Sequence, residues 1–82
     1  MILVEVYFKE LNQQYDVHLD ETLPIESLVE SLVELIAQKE HLTVAKTPGL
    51  FMLCDLEKQQ IMHPGTTLAE NGITSGQRLL LL

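Results

Sequence analysis

Thr67-Leu68-Ala69-Glu70-Asn71-Gly72-Ile73-Thr74-Ser75-Gly76-Gln77, followed at once by Arg78-Leu79-Leu80-Leu81-Leu82, is the stretch on which the architecture turns. Thr67 to Glu70 can form one helical turn. Asn71-Gly72 closes it, because glycine takes the left-handed conformation without a Cβ penalty. A tight turn then leads into a strand from Arg78 to Leu82. Side chains on a strand alternate sides, so Leu79 and Leu81 share one face and Leu80 and Leu82 the other.

Working back from that ending, the chain supplies one long helix and several short strands. From Ile25 the residues Ile25, Leu28, Val29, Leu32, Val33 and Ile36 recur at spacings of three and four, the stripe of a helix that buries one side. Pro24 suits the first turn, where its missing N–H costs nothing, and Thr22 is available as a nearby cap. The helix should end between Lys39 and Leu42, with Lys39 or His41 near the negative end of its dipole. Upstream, Ile2 to Lys9 alternates as a strand, with Ile2, Val4, Val6 and Phe8 on the core face and Leu3, Glu5, Tyr7 and Lys9 opposite. Tyr15, Val17 and Leu19 alternate with Asp16, His18 and Asp20 as a second strand, and the polar Glu10 to Gln14 stretch joins the two as a hairpin. Downstream, Thr43 to Gly49 reads as a loop. Leu50 to Asp55 is a third strand without clean alternation, so either phase is open. A turn at Leu56 to Gln59, a short strand at Gln60 to Met62 and a break at His63-Pro64-Gly65 follow.

One amphipathic helix among these strands gives an α+β domain, a four- or five-stranded mixed sheet whose apolar face receives the helix. A ferredoxin-like arrangement would need a second long helix, which Gln59 to Gln77 cannot supply. Eighty-two residues allow one domain, 1–82, that buries roughly 60% of its unfolded surface. With 46% hydrophobic and 21% charged residues, the composition is that of a folded chain. The single Cys54 cannot form an intramolecular disulfide, Met1 opens no basic leader, and the apolar runs fall far short of the ~20 residues that cross a bilayer. A cytoplasmic protein is therefore expected. The net charge of −7 repels phosphate backbones and anionic lipid, so neither nucleic acid nor a membrane surface is an expected partner.

The block Leu68-x-x-x-Gly72-Ile73-x-x-Gly76-x-x-Leu79 resembles the close of a ubiquitin-like domain. Within that superfamily it is most similar to the small YukD/EsaB proteins of bacterial type VII (WXG-type) secretion systems. The resemblance implies the β-grasp fold and a non-conjugated accessory or regulatory protein that binds components of the secretion apparatus. Conjugated relatives continue into a Gly-Gly tail; here the strand is the end, and a modifier or sulfur carrier would need that tail. A related domain forms the cytosolic N-terminal part of a membrane subunit in some of these systems, so a domain of a larger protein is the alternative reading.

Ubiquitin-like folds bind partners on the open face of the sheet, and matching Leu79 to the family's core leucine leaves Leu80 and Leu82 there. Phe51 and Leu53 would join them, or Leu50 and Met52 in the other phase, as a protein-binding surface. A weak homo-oligomer through such a face is also compatible with the sequence. Glu26, Glu30 and Glu34 form an acidic stripe opposite the buried one, where a basic partner would relieve same-sign repulsion; a solvated face is the simpler account. His18, His41, His63 and Cys54 lack the two- to four-residue spacings of zinc motifs, so no metal is expected. Cys54 has no activating base nearby in sequence and reads as a small hydrophobe. No phosphate loop, nucleophile elbow or carboxylate pair is visible, and neither catalysis nor a cofactor is expected.

Overall fold

The computed structural model describes residues 1–42 and 51–82; the Thr43 to Gly49 stretch and Leu50 lie outside the described residues. In chain order the elements are β1 (Ile2–Phe8), β2 (Gln13–Leu19), α1 (Ile25–Lys39), β3 (Leu53–Asp55), β4 (Gln60–Ile61) and β5 (Arg78–Leu81). They form a five-stranded sheet in the order β2-β1-β5-β3-β4. β1 and β5 run parallel, and the other pairs are antiparallel. This is the ubiquitin-like β-grasp arrangement expected from the element order.

Cross-strand partners share a face, so register decides what is buried. Val6 lies opposite Tyr15 on β2 and Leu79 on β5, and all three are buried. Leu53 lies opposite Leu81, and both are fully buried. Onto this face α1 lays Ile25, Leu28, Leu32 and Ile36, with Val29 and Val33 half-buried at the flank. Each buried aliphatic side chain contributes on the order of 1.5–3 kcal/mol relative to exposure.

The ends of α1 differ from the expectation in one respect. Thr22 is not the cap: its N–H and hydroxyl both donate to Asp20 Oδ1, which holds the Asp20 carboxyl below its usual range. The N-cap is Pro24, without a side-chain bond. The N–H groups of Ile25 and Glu26 donate instead to the carbonyls of Thr66 (2.7 Å) and Pro64 (3.0 Å), so a distant loop satisfies two of the first-turn donors that the helix itself leaves unpaired. At the other end Lys39 occupies the last turn as expected. His41 adopts φ 56°, and Leu42 N–H closes on Ala37 O at 2.8 Å, a Schellman closure with histidine in the place glycine prefers.

The Thr67–Gln77 stretch is built from two turns. Thr67 Oγ1 accepts from Glu70 N–H while Glu70 Oε1 accepts from Thr67 N–H, a reciprocal capping box. Gly72 at φ 72° ends the turn, with Ile73 N–H on Leu68 O at 3.0 Å. Leu68 and Ile73 are thereby turned into the core, and Gly76 at φ 91° redirects the chain into β5.

Candidate functional site

The face of the sheet turned away from α1 carries the candidate site. Its residues follow from register: Tyr7 lies opposite Leu80, Leu80 opposite Cys54, and Cys54 opposite Ile61. An apolar row therefore crosses four strands. A second row begins beside it, where Met52 and Leu82 exchange backbone hydrogen bonds of 3.1 and 2.9 Å. Ile61 (59% exposed) and Met52 (43%) are the most open members, whereas Leu80 and Leu82 are half-buried between their neighbours. A shallow depression lies over Cys54, walled by Leu80, Ile61, Leu56, Gln59 and Gln60.

Two of the residues expected on this face are elsewhere. Leu53 is fully buried and points at the helix, because pairing with Leu81 commits it to the core face. Phe51 follows it inward, half-buried against the core and meeting Phe8 edge-to-face at a centroid distance of 5.7 Å. The phase that holds is the one with Met52 outward; its companion Leu50 lies outside the described residues. Leu80 and Leu82 do face away from the helix, as alternation required. Tyr7 was already placed opposite the core by its own strand's alternation. Ile61 gave no such signal, since a two-residue strand has no period to read.

Cys54 belongs to the outer row, yet it is buried beneath its neighbours, and burial pushes its thiol pKa up. A raised pKa holds the sulfur as thiol, the unreactive form. On the same face Glu5 and Arg78 are opposite-charged cross-strand neighbours. On the helix Glu26, Glu30 and Glu34 are all exposed. The sheet face is thus apolar at its centre, and Asp16, which lies opposite Glu5 on β2, adds a second carboxylate at its β2 side. Among the described residues no group of three or more His, Cys, Asp or Glu side chains is placed to hold a metal ion.

A family model described as "WXG100 protein secretion system (Wss), protein YukD" matches residues 3–81. The chain belongs to the YukD family. Among solved structures, the EccD5 ubiquitin-like domain from Mycobacterium xenopi is similar at TM-score 0.76 and 24% identity, with 99% of this chain and 91% of that one covered. A chain of the MycP5-free ESX-5 inner membrane complex in State II is similar at TM-score 0.76 and 20% identity; 99% of this chain covers 20% of that one. A chain of the toluene 4-monooxygenase HD complex with the inhibitor 4-bromobenzoate has the same TM-score, 0.76, at 15% identity over 98% and 94% of the two chains. No curated protein matches. At these identities the structures share a fold, and a shared fold does not set the activity. YukD membership makes this chain a ubiquitin-like module associated with type VII secretion. Among its described residues no helix is long and apolar enough to cross a membrane.

Proposed function

We propose that this YukD-family chain is a non-catalytic docking module, an accessory or regulatory part of a WXG100-type secretion apparatus that works on the cytoplasmic side. It holds a protein component of that apparatus on the outer face of its sheet. The observation that carries this reading is the apolar row Tyr7–Leu80–Cys54–Ile61, extended by Leu82 and Met52, on a face that no helix of the described residues covers. The row's exposed members are Ile61 and Met52, with Tyr7, Leu80 and Leu82 half-buried between them, and neighbouring exposed apolar residues mark interaction sites. In a host deleted for its own copy, the wild-type chain should restore secretion of WXG100-type substrates. Met52→Lys with Ile61→Lys, both at exposed positions, should keep native circular dichroism yet reduce secretion about tenfold, the effect of losing one interface hot spot. Wild-type secretion by that variant would remove the sheet face from the function.

A second reading is favoured by the ESX-5 similarity, in which the matching region is one part of a longer chain: the module is the ubiquitin-like domain of a larger membrane subunit. The native reading frame distinguishes the two, and the docking face serves either.

A further inference from the structure

The sheet has two edges, and they are not alike. β4 at one end is two residues long, while β2 at the other runs seven residues in unbroken register with β1. Which groups β2 leaves open follows from β1. Glu5 N–H donates to Gln77 O (3.1 Å), Lys9 N–H donates to Leu81 O (3.2 Å), and Leu3 O accepts from Gly76 N–H (2.8 Å). The odd residues of β1 thus spend their backbone groups on the β5 side. Successive residues of a strand point these groups to opposite sides, so Ile2, Val4, Val6 and Phe8 bond to β2. Their partners are Leu19, Val17, Tyr15 and Gln13. Gln14, Asp16 and His18 therefore aim three N–H and three C=O groups at the free edge, and none of these has a partner among the described residues.

Natural sheets blunt such an edge with proline, charged side chains (lysine above all) or a bulge. Gln13-Gln14-Tyr15-Asp16-Val17-His18-Leu19 has no proline, lysine or bulge. What it has is a carboxylate at its midpoint, with Glu10 and Asp20 beyond its two ends. Glu40 also reaches this strand from the helix side, bonded to the Tyr15 hydroxyl at 2.8 Å. Glu5 on β1 lies directly opposite Asp16 and adds a further carboxylate; against these stand Lys39, 5.4 Å from the Tyr15 ring centroid, and Lys9 beside Glu10. A second copy would not suit the edge: antiparallel β2–β2 pairing that engages all three open residues sets Asp16 against Asp16, and like charges directly opposite destabilise a pair.

We propose that the β2 edge takes an extended basic polypeptide segment as a sixth strand. Its backbone would pair with Gln14, Asp16 and His18, and a lysine or arginine would lie opposite Asp16. Backbone pairing supplies affinity in this mode and side chains supply selectivity. The site is separate from the outer face, so its failure would leave the docking reading standing.

The probe is a blocked Val-Lys-Val-Lys-Val-Lys-Val peptide, with a control that has glutamate for lysine, added to the full chain and followed by amide exchange in nuclear magnetic resonance. The amides of Gln14, Asp16 and His18 should slow by roughly tenfold with the lysine peptide, as for newly paired groups, and should not respond to the control. Asp16→Pro should abolish the effect, because the N–H it removes is outside the β1 ladder and proline is tolerated at that kind of edge position. Asp16→Lys, which keeps the N–H, should weaken the lysine peptide about tenfold and admit the glutamate one. Unchanged exchange at the three amides would overturn the proposal, as would equal binding of both peptides or shifts confined to Leu80, Leu82 and Ile61. Protection that rises with protein concentration in the absence of peptide would assign the edge to a second copy and overturn it too.

Discussion

Tyr15 joins three parts of the molecule through one side chain. Its ring is buried from β2, its hydroxyl donates to Glu40 just past the end of α1, and Lys39 approaches its face. Burial first, then the bond to Glu40 and that residue's charge, push the phenol up to about 12 from the ordinary 10.0. Because the folded state holds this proton more tightly than the unfolded one, the contribution is complete below pH 10 and is lost as pH rises from 10 through 12. Tyr15→Phe should therefore cost about 1 kcal/mol near pH 8, the worth of a part-exposed hydrogen bond, and should flatten the decline in urea midpoint between pH 10 and 12. An unchanged alkaline profile would assign that decline to other groups. At this scale the sequence was partly transparent. Gly72 could be read as left-handed from its place after a short turn, and Thr67-x-x-Glu70 is a pattern whose capping role is local. The left-handed His41 and the Tyr15–Glu40 bond could not be read, since each is imposed by residues that sequence distance separates from it or by how a helix end must close.

At the scale of elements, the link between α1 and the 64–68 segment is the one that local rules do not supply. Ile25 and Glu26 donate to carbonyls about forty residues away, and Pro24 bridges to Thr67. Leu68, fully buried, anchors that segment. Leu68→Ala should destabilise the domain by about 3 kcal/mol, typical of a large-to-small core change. The amides of Ile25 and Glu26 should then exchange together and faster than the middle of the helix; protection unchanged at both would separate the helix seat from Leu68. The helix and the N-terminal hairpin were legible because their periods, near 3.6 and 2, run long enough to count. β3 was legible as a strand but not in its facing, because its three residues are all buried and leave no alternation. Thr22, available as a cap by sequence, does not serve as one because it lies two residues before the N-cap Pro24 and bonds to Asp20.

Across the whole molecule, stability of 82 residues is a margin on the order of 4–12 kcal/mol, so the facing of a single strand matters. Leu53→Ser should unfold the domain or bring it close, by leaving a cavity and a buried hydroxyl. Met52→Ser, one residue away on the open face, should stay within about 1 kcal/mol. Thermal melts of the two variants check this, and comparable losses would mean that the outer face is as load-dependent as the core. The sequence by itself determined the helix stripe, the hairpin, the closing turns, the opposite facing of Leu79 and Leu80, and the family resemblance, because each rests on spacing within a few residues or on a contiguous block. Tertiary structure decided the rest. It set Leu53 and Phe51 inward, brought Tyr7, Leu80, Cys54 and Ile61 into one row, and left the Gln14, Asp16 and His18 backbone without a partner among the described residues. All of these depend on inter-strand register, and register is fixed by how distant strands bury their apolar faces together.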